Sequence, residues 1–179
     1  TDHAVTELVI YTADDPGLFS RIAGAIALAG APIVDAKIMT MSNGMALDTF
    51  WIQDAKGGAY ESPDRLKKLL TRIEDALSGK VNTARELALL RDRTPPRRTR
   101  VFKVPPHVLV DNKLSRIHTV IELNGRNRVG FLHDVTSAIT ALGLQIASAH
   151  ISTYGVRVVD VFYVKDIFGL KIESKEKQK

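Results

Sequence analysis

Two short turns carry the residues best suited to holding a small polar ligand. In Asp14-Asp15-Pro16-Gly17-Leu18 a glycine lets a ligand approach the backbone closely, and the helix expected to follow offers N–H groups without intrahelical partners. Those donors and the positive end of the helix dipole suit a carboxylate, and an adjacent aspartate suits an α-ammonium group, so together they fit a free amino acid. The same residues also read as plain structure, with Asp14 or Asp15 capping the helix and Gly17 serving packing. A second turn, Asn127-Arg128-Val129-Gly130-Phe131, keeps the glycine but has valine for proline and basic side chains for acidic ones. If both turns bind ligands, they need not bind equally. Asp48 and Asp160 recur at matching strand positions, where a lone carboxylate is expected to be solvated or paired.

No catalytic constellation accompanies these turns. The five histidines, at 3, 107, 118, 133 and 150, include no pair at helical metal-ligand spacing, and each reads as a surface or structural residue. His-Glu-x-x-His, a phosphate-binding Walker loop and Gly-x-Ser-x-Gly are all missing from the sequence. With no cysteine among 179 residues, disulfides, thiolate metal sites and cysteine nucleophiles are excluded. The expectation is a segment with no catalytic residues, no metal site and no cofactor of its own.

The elements that position both turns come from a repeat. Leu8–Gly57 lies over Ile121–Gly169 at an offset of 113, which becomes 112 after one residue is lost in a hairpin. Leu18, Ile22, Ile26 and Gly30 fall on Phe131, Val135, Ile139 and Gly143; Asp48, Phe50 and Ile52 fall on Asp160, Phe162 and Val164. Within the first copy, Val5–Thr12 reads as a strand and Leu18–Ala29 as an amphipathic helix stopped by Gly30. Ile33–Met41 and Met45–Gln53 flank Ser42-Asn43-Gly44, a hairpin signal. Ser62-Pro63 opens a further helix, Thr83 with Glu86 suggests a capping box for another, and Val108–Asp111 reads as the strand closing the first copy.

The order β-α-β-β-α-β predicts an α+β fold of two ferredoxin-like units, each an antiparallel sheet with helices on one face. The first unit is expected over 1–113, including a basic, proline-containing insertion at 91–106 before its closing strand. The second is expected over 114–179 and to be incomplete, because Ile167–Lys179 is too short for both a helix and a strand. Its shortness suggests a chain truncated at both ends, or a sheet completed by another chain. Both third strands are apolar on both faces: Trp51 alternates with Phe50 and Ile52, as Val161 and Tyr163 do with Phe162 and Val164. That pattern fits ordinary β-propensity, or packing of the second face or the sheet edge against another such unit.

Asp-Asp-Pro-Gly-Leu-Phe between a strand and an amphipathic helix, inside βαββαβ, resembles the ACT domain, a regulatory module that binds amino acids. More specific is the joint. Val101–Val108, Ile117–Glu122 and Val158–Asp166 resemble the tandem ACT region at the C-terminus of the bacterial bifunctional uridylyltransferase/uridylyl-removing enzyme family, from about Thr6 to Ile172. The resemblance implies regulation: in that family the ACT pair senses glutamine and shifts an enzyme between adding and removing UMP on the PII nitrogen-signalling protein. The nucleotidyltransferase and metal-dependent (Mg2+) hydrolase domains lie N-terminal to anything in this chain. Carried over, it implies an amino-acid site at Asp14, Asp15, Pro16, Gly17 and Leu18 with Lys37 and Ile38 opposite. Its counterpart would be Asn127, Arg128, Gly130 and Phe131, with His150 and Ile151 opposite. The implied partners are glutamine or another amino acid, PII, the catalytic domains and a second ACT unit, in the cytoplasm. An ACT module of another amino-acid-controlled enzyme is the alternative.

The net charge of +5 and a sequence pI of about 9.5 invite a nucleic-acid reading, since ferredoxin-like sheets also serve as RNA platforms. Two features oppose it. Only 6% of residues are aromatic, and Arg91, Arg93, Arg97, Arg98, Arg100 and Lys103 against Asp92 account for the whole excess, leaving 19 basic and 19 acidic residues elsewhere. The charge belongs to a connector, which reads either as solvated or as docking on an acidic face. The uncharged run Ile22–Val34 is broken by Gly and Pro and too short to span a membrane, so neither nucleic acid nor membrane is an expected partner.

Overall fold

The computed structural model describes residues 4–54, 56–93, 107–126, 128, 130–154 and 157–172. The chain runs β1 (Thr6–Ala13), α1 (Leu18–Leu28), β2 (Ile33–Thr40), β3 (Met45–Ile52), α2 (Pro63–Leu77), α3 (Thr83–Arg93), β4 (His107–Asp111), β5 (Thr119–Arg126), α4 (Phe131–Ala141), β6 (Gln145–Tyr154) and β7 (Arg157–Lys165). The strands form one antiparallel sheet of seven, in the order β1-β3-β2-β6-β7-β5-β4. The α+β class and the repeated strand–helix–hairpin unit expected from the sequence are present.

Period-2 patterning sets the sheet's faces. Ala36, Ile38, Phe50, Ile52, Ala149, Ile151, Phe162 and Val164 are all buried beneath the helices, with Phe19 of α1 stacked on Phe50 at 5.2 Å. Burying each phenylalanine contributes about 1.5–3 kcal/mol, so the equivalent pair Phe50 and Phe162 anchors each half. In α1 the stripe Leu18, Ile22, Ile26 faces this core. Gly24 lets neighbouring helices come close: a Cβ there would lie 2.9 Å from the His133 ring of α4 and 3.1 Å from Thr83 of α3.

The two units join through β2 and β6. Lys37, which the repeat matches to His150, also pairs with His150; Ala36 faces Ile151 and Ile38 faces Ala149. Equivalent residues thus exchange partners about the Lys37–His150 pair, the signature of an approximate two-fold axis through the seam. Of the two ways foreseen for the units to pack, it is the edges that meet.

Three expectations are corrected. The strand around Val108–Asp111 does not close the first unit; β4 pairs with β5, Val108 opposite Leu123 and Asp111 opposite Val120. A short link returns β4 alongside the next strand, the cheapest closure for consecutive segments. The second unit consequently holds four strands, β6-β7-β5-β4, and what it lacks among the described residues is a second helix of its own. The α3 start also differs: Asn82, one residue before Thr83, accepts the Arg85 amide through Oδ1 at 3.0 Å, while Thr83 is buried against Gly24. Of the basic connector, residues 94–106 lie outside the described residues; Arg91 and Arg93 belong to α3.

Candidate functional site

Both glycine turns adopt one shape. Gly17 and Gly130 take φ of 79° and 75°, the left-handed region that penalises any side chain, and each is the residue from which a helix starts. Leu18 N donates to Asp15 O and Phe131 N to Arg128 O, so each turn takes up the first amide of its helix, and the next first-turn amides are those that have no carbonyl partner within the helix. No side chain caps either helix, which removes the reading of Asp14 or Asp15 as a cap. Asp15 is tied to Arg21 at 2.7 Å, and Asp14 is exposed. Neither is positioned as the buried counter-ion for an ammonium group.

The second turn repeats this strap with the charges reversed. Arg128, the equivalent of Asp15, pairs at 2.7 Å with Asp134, the equivalent of Arg21. Arg91 of α3 joins Asp134 at 2.9 Å and His133 lies 3.3 Å away. Burial alone would raise the Asp134 pKa, but hydrogen bonds from Arg128, Arg91 and His133 outweigh it and hold the carboxyl below its usual range.

Each turn opens on a cavity at the seam between the units. One, of about 200 Å³, lies between the first turn (Asp14–Leu18) and the far end of the other unit's helix, with Thr136, Thr140, Gly143 and Gln145. The other, of about 340 Å³, lies between the second turn (Arg128, Gly130, Phe131) and Ala23, Ala27, Gly30 and Pro32. These linings map onto each other through the repeat. Each cavity takes its turn from one unit and its opposite wall from the other, so neither exists in a single unit.

On the strand side, Ile38 lines the first cavity and Ile151 the second. Lys37 and His150 do not line them. Adjacent to those isoleucines, they point through the opposite face of the sheet, where both are exposed and His150 lies 3.8 Å from Asp35. Asn127 lies outside the described residues.

The residues that sequence reasoning passed over are Asp48 and Asp160. They are neither solvated nor ion-paired: at 1% and 0% exposure they are buried, and each is among the residues that line one of the two cavities. No donor meets either Asp48 oxygen or either Asp160 oxygen at full hydrogen-bonding geometry. Burial, reinforced by the nearby Asp14 charge, pushes the Asp48 carboxyl up to about 7. Burial does the same for Asp160, also to about 7, and outweighs the opposing effect of the Ser152 amide. Their signal in the sequence was an aspartate repeated at one point of two apolar strands. Among the described residues no three His, Asp or Glu side chains gather as a metal ion would require, and no helix is long and apolar enough to cross a membrane. Each cavity thus offers helix-start amides at its rim and a buried carboxyl in its lining, a pairing that suits a small zwitterion.

Residues 115–177 match the ACR family N-terminal ACT domain. Across nearly its full length the chain is similar to bifunctional uridylyltransferase/uridylyl-removing enzymes. It is 58% identical to that of Azospirillum brasilense over 175 residues, which cover 97% of this chain and 19% of the relative. The Gluconobacter oxydans enzyme is 54% identical over 171 residues (96% and 18%), and that of Rhodospirillum rubrum 52% over 179 (98% and 19%). The chain therefore spans about a fifth of the length of these curated relatives.

Proposed function

We infer that this chain, an ACT-domain segment homologous over nearly its whole length to bifunctional uridylyltransferase/uridylyl-removing enzymes, is the amino-acid-sensing part of such an enzyme. Glutamine is the proposed ligand and the seam cavities its sites. The observation that carries this reading is the pair of repeat-related cavities, each walled by both units. A ligand in such a cavity touches two units at once, so it stabilises the arrangement that forms the cavity by its difference in affinity for that arrangement over others. Uridylyl transfer to PII and its removal would be carried out by domains beyond this segment, with Mg2+ serving them there. In the bacterial cytoplasm this would tie nitrogen signalling to glutamine supply.

Isothermal titration of the chain, and of the enzyme carrying it, with glutamine and with other amino acids tests the reading. Saturable binding that prefers glutamine supports it; saturable binding that prefers another amino acid moves the assignment to an ACT module of a different regulated enzyme. Absence of heat with every amino acid, from both proteins, would sink it.

A further inference from the structure

We propose that Asp160 and Asp48 are the groups that seat the ligand's ammonium in the two seam cavities, and that each carboxyl releases its proton to solvent as it does so. This inference rests on the amino-acid reading above and names the residue that makes the site selective for an amine.

Buried carboxylates normally have partners, because an unpaired charge out of water costs several kcal/mol. Here two carboxyls at equivalent positions are buried with no donor at full hydrogen-bonding geometry, only the Ser152 amide acting on Asp160, and each residue belongs to the lining of a cavity. One orphan could be an accident of packing. Two related by the repeat, each sharing its cavity with a glycine turn, mark a position kept free for a donor from outside. An ammonium group supplies three such donors and the compensating charge.

The surroundings leave that role to these two residues. Asp15 is committed to Arg21, and Asp134 to Arg128, Arg91 and His133. Asp14 is the charged group that acts on Asp48, and it raises the carboxyl's proton affinity. The walls contributed by the other unit are uncharged: Thr136, Thr140 and Gln145 in one cavity, Ala23 and Ala27 in the other. At neutral pH each empty site therefore holds a substantial share of neutral carboxyl. Seating an ammonium replaces the O–H proton by N–H donors to the carboxylate; one proton leaves to buffer and no covalent bond to the ligand forms.

The test is isothermal titration of the chain with glutamine at pH 6 and pH 8, each in two buffers of different ionisation enthalpy, alongside Asp160→Asn and Asp48→Asn. The expected result is about tenfold tighter binding at pH 8 than at pH 6, with close to one proton released per site at pH 6. Each variant should lose about thirtyfold or more in affinity at its own cavity, together with that site's proton release. Binding by both variants within threefold of the parent, with unchanged proton release, overturns the proposal while leaving the amino-acid reading intact. No binding by the parent chain at either pH overturns both. Should a variant fail to fold, the parent alone decides: binding without buffer-dependent heat refutes the proposal.

Discussion

Replacing Asp48 and Asp160 by asparagine should make the ligand-free protein more stable at pH 8 than at pH 5, relative to the parent. An unfolded carboxyl loses its proton near its ordinary 3.8, whereas in the folded protein these two hold theirs to about 7. Between those values the native state binds the extra proton, so the parent's stability falls as pH rises through the window and the loss is complete above about 7. A displacement of that size corresponds to about 4 kcal/mol per site across the whole window and about 2.6 kcal/mol between pH 5 and 8, which access of water to the cavities reduces to about 1–2.5 kcal/mol. Asparagine carries no charge at either pH, so whatever its amide costs in the cavity is the same at both and cancels. Two strands, β2 and β6, separate β3 from β7, which puts the aspartates at least about 14 Å apart, and the two effects should add. Urea unfolding followed by circular dichroism, for parent, single and double variants at pH 5 and 8, reads this difference of differences. A stability gap independent of pH, or one that favours the parent at pH 8, would refute the burial argument for both residues.

Other perturbations test separate parts of the architecture. Gly17→Ala and Gly130→Ala each force a side chain into the left-handed region and should cost about 1–2 kcal/mol in urea unfolding; at Gly130 the new Cβ would also lie 2.5 Å from the Arg91 guanidinium, so any added cost comes from moving Arg91 off Asp134. Asp134→Asn removes a carboxylate held below its usual pKa by Arg128, Arg91 and His133. It should lower stability by about 1 kcal/mol at pH 7, given its partial exposure, and the loss should vanish as pH falls below the folded-state pKa, where the parent's carboxyl is itself protonated. Gly24→Val should destabilise by about 1–3 kcal/mol through overpacking against His133 and Thr83, measured by thermal unfolding, and should weaken amino-acid binding by shifting α1 against α4.

The local plan was legible residue by residue. Asn43-Gly44 marked a hairpin, Gly17 and Gly130 marked strand-to-helix turns, Leu18-Ile22-Ile26 marked a helix face, and each signal concerns neighbours in the chain whose backbone options glycine and side-chain spacing restrict. Lys37 and His150 went astray for a related reason. The alternation that buries Ile38 and Ile151 turns their neighbours to the other face, yet sequence matching alone treats adjacent strand residues as one wall.

The sequence by itself determined that one structural unit is used twice, what its elements are, and that a glycine turn in each copy opens a helix. Only the tertiary structure decided which edges meet, that β4 serves the second unit, and that two aspartates end in cavities walled by both copies. Edge pairing is made by backbone N–H and C=O groups common to every residue, so nothing in the side-chain pattern names the partner strand. The fate of a carboxyl depends on what stands around it, and around Asp48 and Asp160 those neighbours come in part from more than a hundred residues away along the chain.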